Sequence, residues 1–168
     1  MELFAAIQTR ASAGRLNGPG PSREDLDRLL QAAARAPDHG RLVPWRLIVL
    51  EDALREAFTA AAAAAKRARL PTMTAEQLAA EREKMSRSPT IVVIGCAVNR
   101  AQTKIPEIEQ VVAAGAAAQN LFLAAHDMGY GVMWKTGAAA YDPAVKATVG
   151  LGPDDHIVAI MHLGAPLK

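Results

Sequence analysis

Arg35-Ala36-Pro37-Asp38-His39-Gly40-Arg41-Leu42-Val43-Pro44-Trp45 is the stretch from which the rest of the chain can be read. A helical pattern stops at Pro37, a polar turn follows and Trp45 opens a strand. Two prolines stiffen the passage by fixing their own φ and restricting the residue before each. The stretch also carries Arg35, Asp38, His39 and Arg41, more polar chemistry than a connecting loop needs.

Upstream, Ser22 and Asp25 have capping-box spacing. Leu26, Leu29, Leu30 and Ala33 form the buried stripe of a helix that ends at Arg35-Ala36, before Pro37. Residues 2–10 predict a short amphipathic helix with Leu3, Ile7 and Arg10 on its core-facing side. A guanidinium there needs an anionic partner or a route to water. Ser12 follows in a run of small residues, and Gly18-Pro19-Gly20-Pro21 breaks regular structure.

Downstream, residues 45–50 predict a strand. An alanine-rich helix runs from 52 to about 70, where Pro71 stops it, and its Lys66, Arg67 and Arg69 read as a solvated face. Thr74 and Gln77 start a charged, peripheral helix. Residues 90–98 are apolar on both sides and predict an interior strand. Pro106 suits the first turn of a helix reaching about 127. That helix is apolar nearly all round, and Gly115 with its neighbouring alanines lets another helix come close. It is expected to be the core's central helix and a candidate dimer interface. Gly129-Tyr130-Gly131 leads into a strand at 132–136. Asp142-Pro143 starts a short helix closed by Gly150. The last strand, 156–163, is apolar except for His162. The order α, α, β, α, α, β, α, β, α, β predicts one domain over residues 1–168. Its fold class is α+β (an α/β sandwich), a small central sheet flanked by helices.

Composition narrows the function. Hydrophobic residues make up 51% but aromatics only 4%, so helices pack closely with little bulk, and subunit association would help. A net charge of +2 gives no argument for nucleic acid. The single Cys96 excludes a disulfide within the chain and a zinc site built on thiolates. No stretch resembles a secretory signal, and no apolar run approaches the about 18 residues of a membrane helix. The expectation is a cytoplasmic protein without membrane partners.

The sequence has no Gly-x-Gly-x-x-Gly after a first strand, no phosphate loop, no His-Glu-x-x-His and no nucleophile elbow. His39, His126, His156 and His162 lack ligand spacing, so no metal is expected. The remaining fragments suit one ligand. Arg10, Ser12 and Arg35 offer guanidinium forks and a hydroxyl to a phosphate or polyol. His39 can hydrogen-bond a heteroaromatic ring. Trp134-Lys135-Thr136-Gly137 ends a strand with a flat aromatic, a cation, a hydroxyl and a glycine that lets backbone amides come near. On these residues alone the ligand could be any phosphorylated aromatic.

Arg10-x-Ser12, Arg35-Ala36-Pro37-Asp38-His39, Pro44-Trp45, Pro106-x-x-Glu109 and Gly129-x-Gly131-x-x-Trp134 occur in an order and spacing similar to the short branch of the FMN-dependent nitroreductase family. The resemblance runs from Met1 to Pro166. It implies a nitroreductase-like fold and an intertwined homodimer with FMN at the subunit interface. Arg10, Ala11 and Ser12 would meet the phosphate and ribityl end. Arg35 and His39 would add contacts, part of them across the dimer, and Trp134, Lys135, Thr136 and Gly137 would line the ring. Ala124, Ala125, His126, Asp127, Met128 and Gly129 correspond to a stretch assigned to NAD(P) in relatives. Ala11 stands where many relatives have a second arginine, and Lys135-Thr136 where Arg-Ser is common.

The implied activity is ping-pong hydride transfer from NADH or NADPH, through FMN, to a small-molecule acceptor such as a nitroaromatic or quinone. No residue stands out as a catalytic acid or base. The alternatives are another flavin reaction on the same fold, such as dehalogenation or dehydrogenation, and a non-enzymatic FMN-binding or storage protein.

Overall fold

The computed structural model describes residues 1–16 and 18–165; Pro166, where the resemblance ends, lies outside them. A four-stranded sheet forms its centre: β1 (Trp45–Val49), β2 (Thr90–Cys96), β3 (Gly131–Lys135) and β4 (His156–Gly164), in the order β1-β2-β4-β3. Every neighbouring pair is antiparallel. Helices cover both faces, as expected for the α/β sandwich.

Against one face lie α2 (Arg23–Ala33) and α5 (Glu107–Asp127). Ser22 caps α2 by accepting the Asp25 N–H at 3.1 Å, and Leu26, Leu29 and Ala33 are its buried stripe. From α5, Ala113, Ala114, Ala117, Ala118 and Leu121 enter the core with Val92, Ile94, Met161 and Leu163 of the sheet. Alanine is the packing device here, because it brings α5 close to both the sheet and α2. Against the other face lie α3 (Asp52–Arg69) and α6 (Pro143–Thr148), which bury Phe58 and Val145 with Ile91, Val93 and Ile160. Asp142 caps α6 by accepting the Ala144 and Val145 N–H groups at 2.9 and 3.4 Å.

Alongside α3, α4 (Ala75–Glu83) has the full Thr74–Gln77 capping box and no buried residue, in keeping with its charge. Three 3-10 turns at His39–Arg41, Lys84–Ser86 and Ala138–Tyr141 add to the expected elements. No helix among the described residues is long and apolar enough to cross a membrane.

A bulge in β4 arranges the two cores. Ile94 pairs with Ala159 but Gly95 pairs with Ile157, so Val158 is left unmatched and side-chain parity flips. Ile157 and Ile160 therefore share one core while Ala159 and Met161 share the other. Beside the bulge Leu151 packs directly on Gly95, where a Cβ would sit 2.7 Å from the leucine side chain.

Helix α1 (Leu3–Thr9) departs from expectation. Ala6 is its buried residue, while Leu3, Ile7 and especially Phe4 (77% exposed) face outward. The small-residue side of α1 packs on α5, and among the described residues nothing covers the large apolar side. Cys96 is buried, which pushes its thiol up to about 11.

Phe58 is fully buried between α3 and the sheet. Phe58→Ala is expected to lower stability by about 3–5 kcal/mol in urea unfolding, with its midpoint displaced and its slope unchanged. A midpoint at the wild-type value would contradict this packing.

Candidate functional site

The residues singled out above fall in three places. The first is the outer edge of β3, where sheet order leaves an unpaired strand. The chain leaving α1 lies along it: Ser12 bridges Val132 in parallel, and the Ala13 N–H donates to the Val132 carbonyl at 2.9 Å. Arg10, at the end of α1, stacks its guanidinium over Phe122 of α5, 4.8 Å from the ring centroid. Ala11 and Ser12 are exposed beside it.

The second place is the loop after α2. His39 Nδ1 lies 2.6 Å from Glu109 Oε2 in the first turn of α5. Asp38 accepts the Val43 N–H at 2.8 Å and closes a tight turn. Gly40, Arg41 and Val43 all hold positive φ, at 71°, 56° and 48°. For β-branched Val43 such a conformation costs on the order of 1–3 kcal/mol, so the turn is held by its surroundings. Arg35 is exposed just past α2. From Glu109 to Phe122 is about 13 residues of helix, roughly 20 Å. One chain therefore keeps His39 far from Arg10.

The third place is a cavity of about 530 Å³ at the end of β3, bounded by α3, α4 and the turn after the strand. Lys135, Thr136 and Gly137 line it. Gly137 holds φ at 67°, and a side chain there would begin with nothing within 4 Å, so its backbone is open to a flat ligand. Trp134 is not in this lining. Alternation along β3 turns it onto the α5 face, where its indole N–H donates to the carbonyl of Val158, the unmatched residue of the bulge, at 3.2 Å.

Across the cavity stand groups not expected there. Lys66 and Arg69 of α3 line it, so this charge cluster is more than a solvated face; Lys84, Glu81 and His162 complete the polar lining. Their signal in the sequence was slight, an i, i+3 pair of cations closing an alanine helix and one polar residue in an apolar strand. Glu81 accepts from Lys66 and Lys84, each at 2.6 Å. Burial pulls the Glu81 carboxyl up, but those two hydrogen bonds outweigh it and leave its pKa below the usual range. The bond to Glu81 raises Lys66. Lys135 has no carboxylate partner among the described residues; burial, then Arg87 and Lys84, lower its pKa.

His162 forms the floor, buried, with Nδ1 2.9 Å from Ser88 Oγ. Burial, reinforced by Lys135 and Arg55, pushes its pKa down to about 4.

Residues 124–129 are the last turn of α5 and the glycine beyond it, which holds φ at 84°. Their polar side chains are engaged within the chain: His126 Nε2 lies 2.9 Å from Thr9 Oγ1, and Asp127 pairs with the terminal ammonium of Met1. Among the described residues no cluster of His, Cys, Asp or Glu is arranged to hold a metal.

Residues 7–165 match the family model described as "Nitroreductase family". An Escherichia coli K12 protein named "Putative NAD(P)H nitroreductase YdjA" is 35% identical over 168 residues, covering 99% of this chain and 89% of the relative. The crystal structure of a nitroreductase-like family protein from Bacillus cereus superposes with a TM-score of 0.81 at 25% identity, covering 100% of this chain and 87% of that one. A Bacteroides fragilis nitroreductase crystallised with bound FMN gives a TM-score of 0.72 at 20% identity, covering 99% and 89%.

His162 supplies a test of the cavity floor. Its folded pKa, about 4, lies below the ordinary 6.5, so the unfolded chain binds the extra proton between those values. Stability is therefore lost as pH falls through that window, by up to roughly 3 kcal/mol. Urea unfolding at pH 7, 5.5 and 4 should show this loss in wild type and a smaller one in His162→Gln. Parallel pH profiles would contradict the neutral, buried assignment.

Proposed function

The chain belongs to the nitroreductase family, and on that premise we propose that it is an FMN-dependent oxidoreductase. It passes hydride from NADH or NADPH, by ping-pong turnover, to a small acceptor such as a nitroaromatic or quinone. The observation that carries this reading is the cavity at the end of β3, lined by the cation of Lys135 and by the open glycine backbone of Gly137. Lys135 has no carboxylate within ion-pair distance among the described residues, and such a group fits a ring that gains negative charge on reduction.

Bound FMN would supply the hydride chemistry. The protein's part is positional. Arg10 and Ser12, with the backbone at Ala11, would hold the phosphate end along the edge of β3. Thr136 and Gly137 would offer backbone to the ring, and Lys135 would offer it a positive charge. The apolar cavity wall limits water around the reacting atoms.

A second copy of the chain completes the site in this reading. Along α5, Ile108 and Val112 are 66% and 63% exposed, and Gly115 leaves open space one turn further on. Leu3, Phe4 and Ile7 of α1 add to the uncovered apolar surface. A homodimer burying these faces would account for them. It would also let Arg35 and His39 of one subunit reach the Arg10–Ser12 edge of the other, which the roughly 20 Å of α5 prevents within a single chain.

The visible spectrum tests this first: the purified protein should carry about one FMN per chain, bleach anaerobically with NADH or NADPH, and reoxidise with a nitroaromatic or quinone. A colourless protein that ignores added FMN would refute it. Arg10→Ala and His39→Ala should each weaken flavin retention, and unchanged retention in both would remove these residues from the site. Val112→Asp should shift the protein toward monomer in sedimentation and lower its flavin content; an unchanged dimer would place the interface elsewhere.

A further inference from the structure

The cavity carries more positive charge than its own structure uses. Lys66, Arg69, Lys84 and Lys135 line it against one carboxylate, Glu81. That carboxylate is already engaged by Lys66 and Lys84. Arg69 and Lys135 have no carboxylate within ion-pair distance among the described residues. Basic residues in the last turn of α3 suit the helix dipole, which would be reason enough for them at the surface. Yet Lys66 and Arg69, three apart and so on one side of the helix, line the cavity, whereas Arg67 does not.

Much of the remaining wall is apolar. Leu70, Met85 and Ile160, with alanines of α3, make a surface suited to a flat ring.

We propose that the acceptor reduced in this cavity is an aromatic anion, a ring bearing a carboxylate or similar acidic group. The ring lies against Met85 and Ile160, and the acidic group is held by Arg69 and Lys66 on the α3 side. The inference deepens the redox reading above and rests on it for the word acceptor; the anion site itself stands on the cavity alone. A bound carboxylate would offset the mutual repulsion of these cations, and its bond to a guanidinium is stronger than one between neutral groups. A neutral ring of the same size gains only the apolar contacts.

The test uses the protein as purified. Titration calorimetry with 4-nitrobenzoate and with 4-nitrobenzamide compares an anion with a neutral molecule of nearly the same shape. The carboxylate should bind about 10-fold more tightly at low salt, and the advantage should shrink to about 2-fold in ~0.5 M salt. Arg69→Gln, which leaves both Glu81 pairs intact, should remove most of the preference without lowering flavin content. In steady state it should raise KM for 4-nitrobenzoate while kcat changes less. Equal binding of the two compounds would overturn the proposal. So would loss of flavin in Arg69→Gln, because the charge would then serve the cofactor. Preferential binding of 4-nitrobenzoate by a protein that never transfers electrons to it from NADH or NADPH would sustain the anion site and refute the redox reading.

Discussion

Alternation along β3 is the constraint on which the rest of the site depends. Successive side chains of a strand point to opposite faces, so Trp134 and Lys135 cannot share one. Trp134 turns to the α5 core, where the unmatched carbonyl of Val158 takes its indole N–H. Lys135 is thereby committed to the other face and to the cavity. The β4 bulge leaves Val158 unmatched and so frees that carbonyl. A cation is thus directed to the cavity by hydrogen bonding and packing on the far side of the sheet.

Helix α5 sets the second constraint. Its alanines draw it against the sheet and α2, and its length separates two groups of polar residues. Arg10 stands over Phe122 near one end, and His39 reaches Glu109 near the other. Ile108 and Val112 remain uncovered along the same helix. In the reading proposed above, one arrangement of two chains answers both facts: it covers the apolar stripe and brings opposite ends of two α5 helices to one ligand.

Much of the fold was legible because its signals are local. Ser22, Thr74 and Pro106 mark helix starts, Pro37 and Pro71 mark ends, and the apolar run at 90–96 could only be interior. Asp38 shows its part directly, as the acceptor that closes the strained turn beside His39. The orientation of α1 was not legible, since Leu3 and Ile7 have helical spacing but the described residues provide nothing to cover them. The cavity's far wall was equally hidden. Lys66 and Arg69 look like any charge run until α4 folds back and Glu81 reaches across to Lys66. Nor does sequence show that adjacent Trp134 and Lys135 serve different faces until strand limits and the bulge are known.

The central claim is that each flavin site draws Arg10 from one subunit and His39 from the other. Mixing the Arg10→Ala and His39→Ala chains under conditions that exchange subunits tests it most directly. Sites shared between subunits predict that each mixed dimer regains one intact site and leaves the other doubly altered. With random pairing, about one quarter of all sites should then recover flavin retention and NAD(P)H-dependent bleaching. Sites complete within one chain would leave the mixture no better than the average of the two variants, and that result would contradict the account.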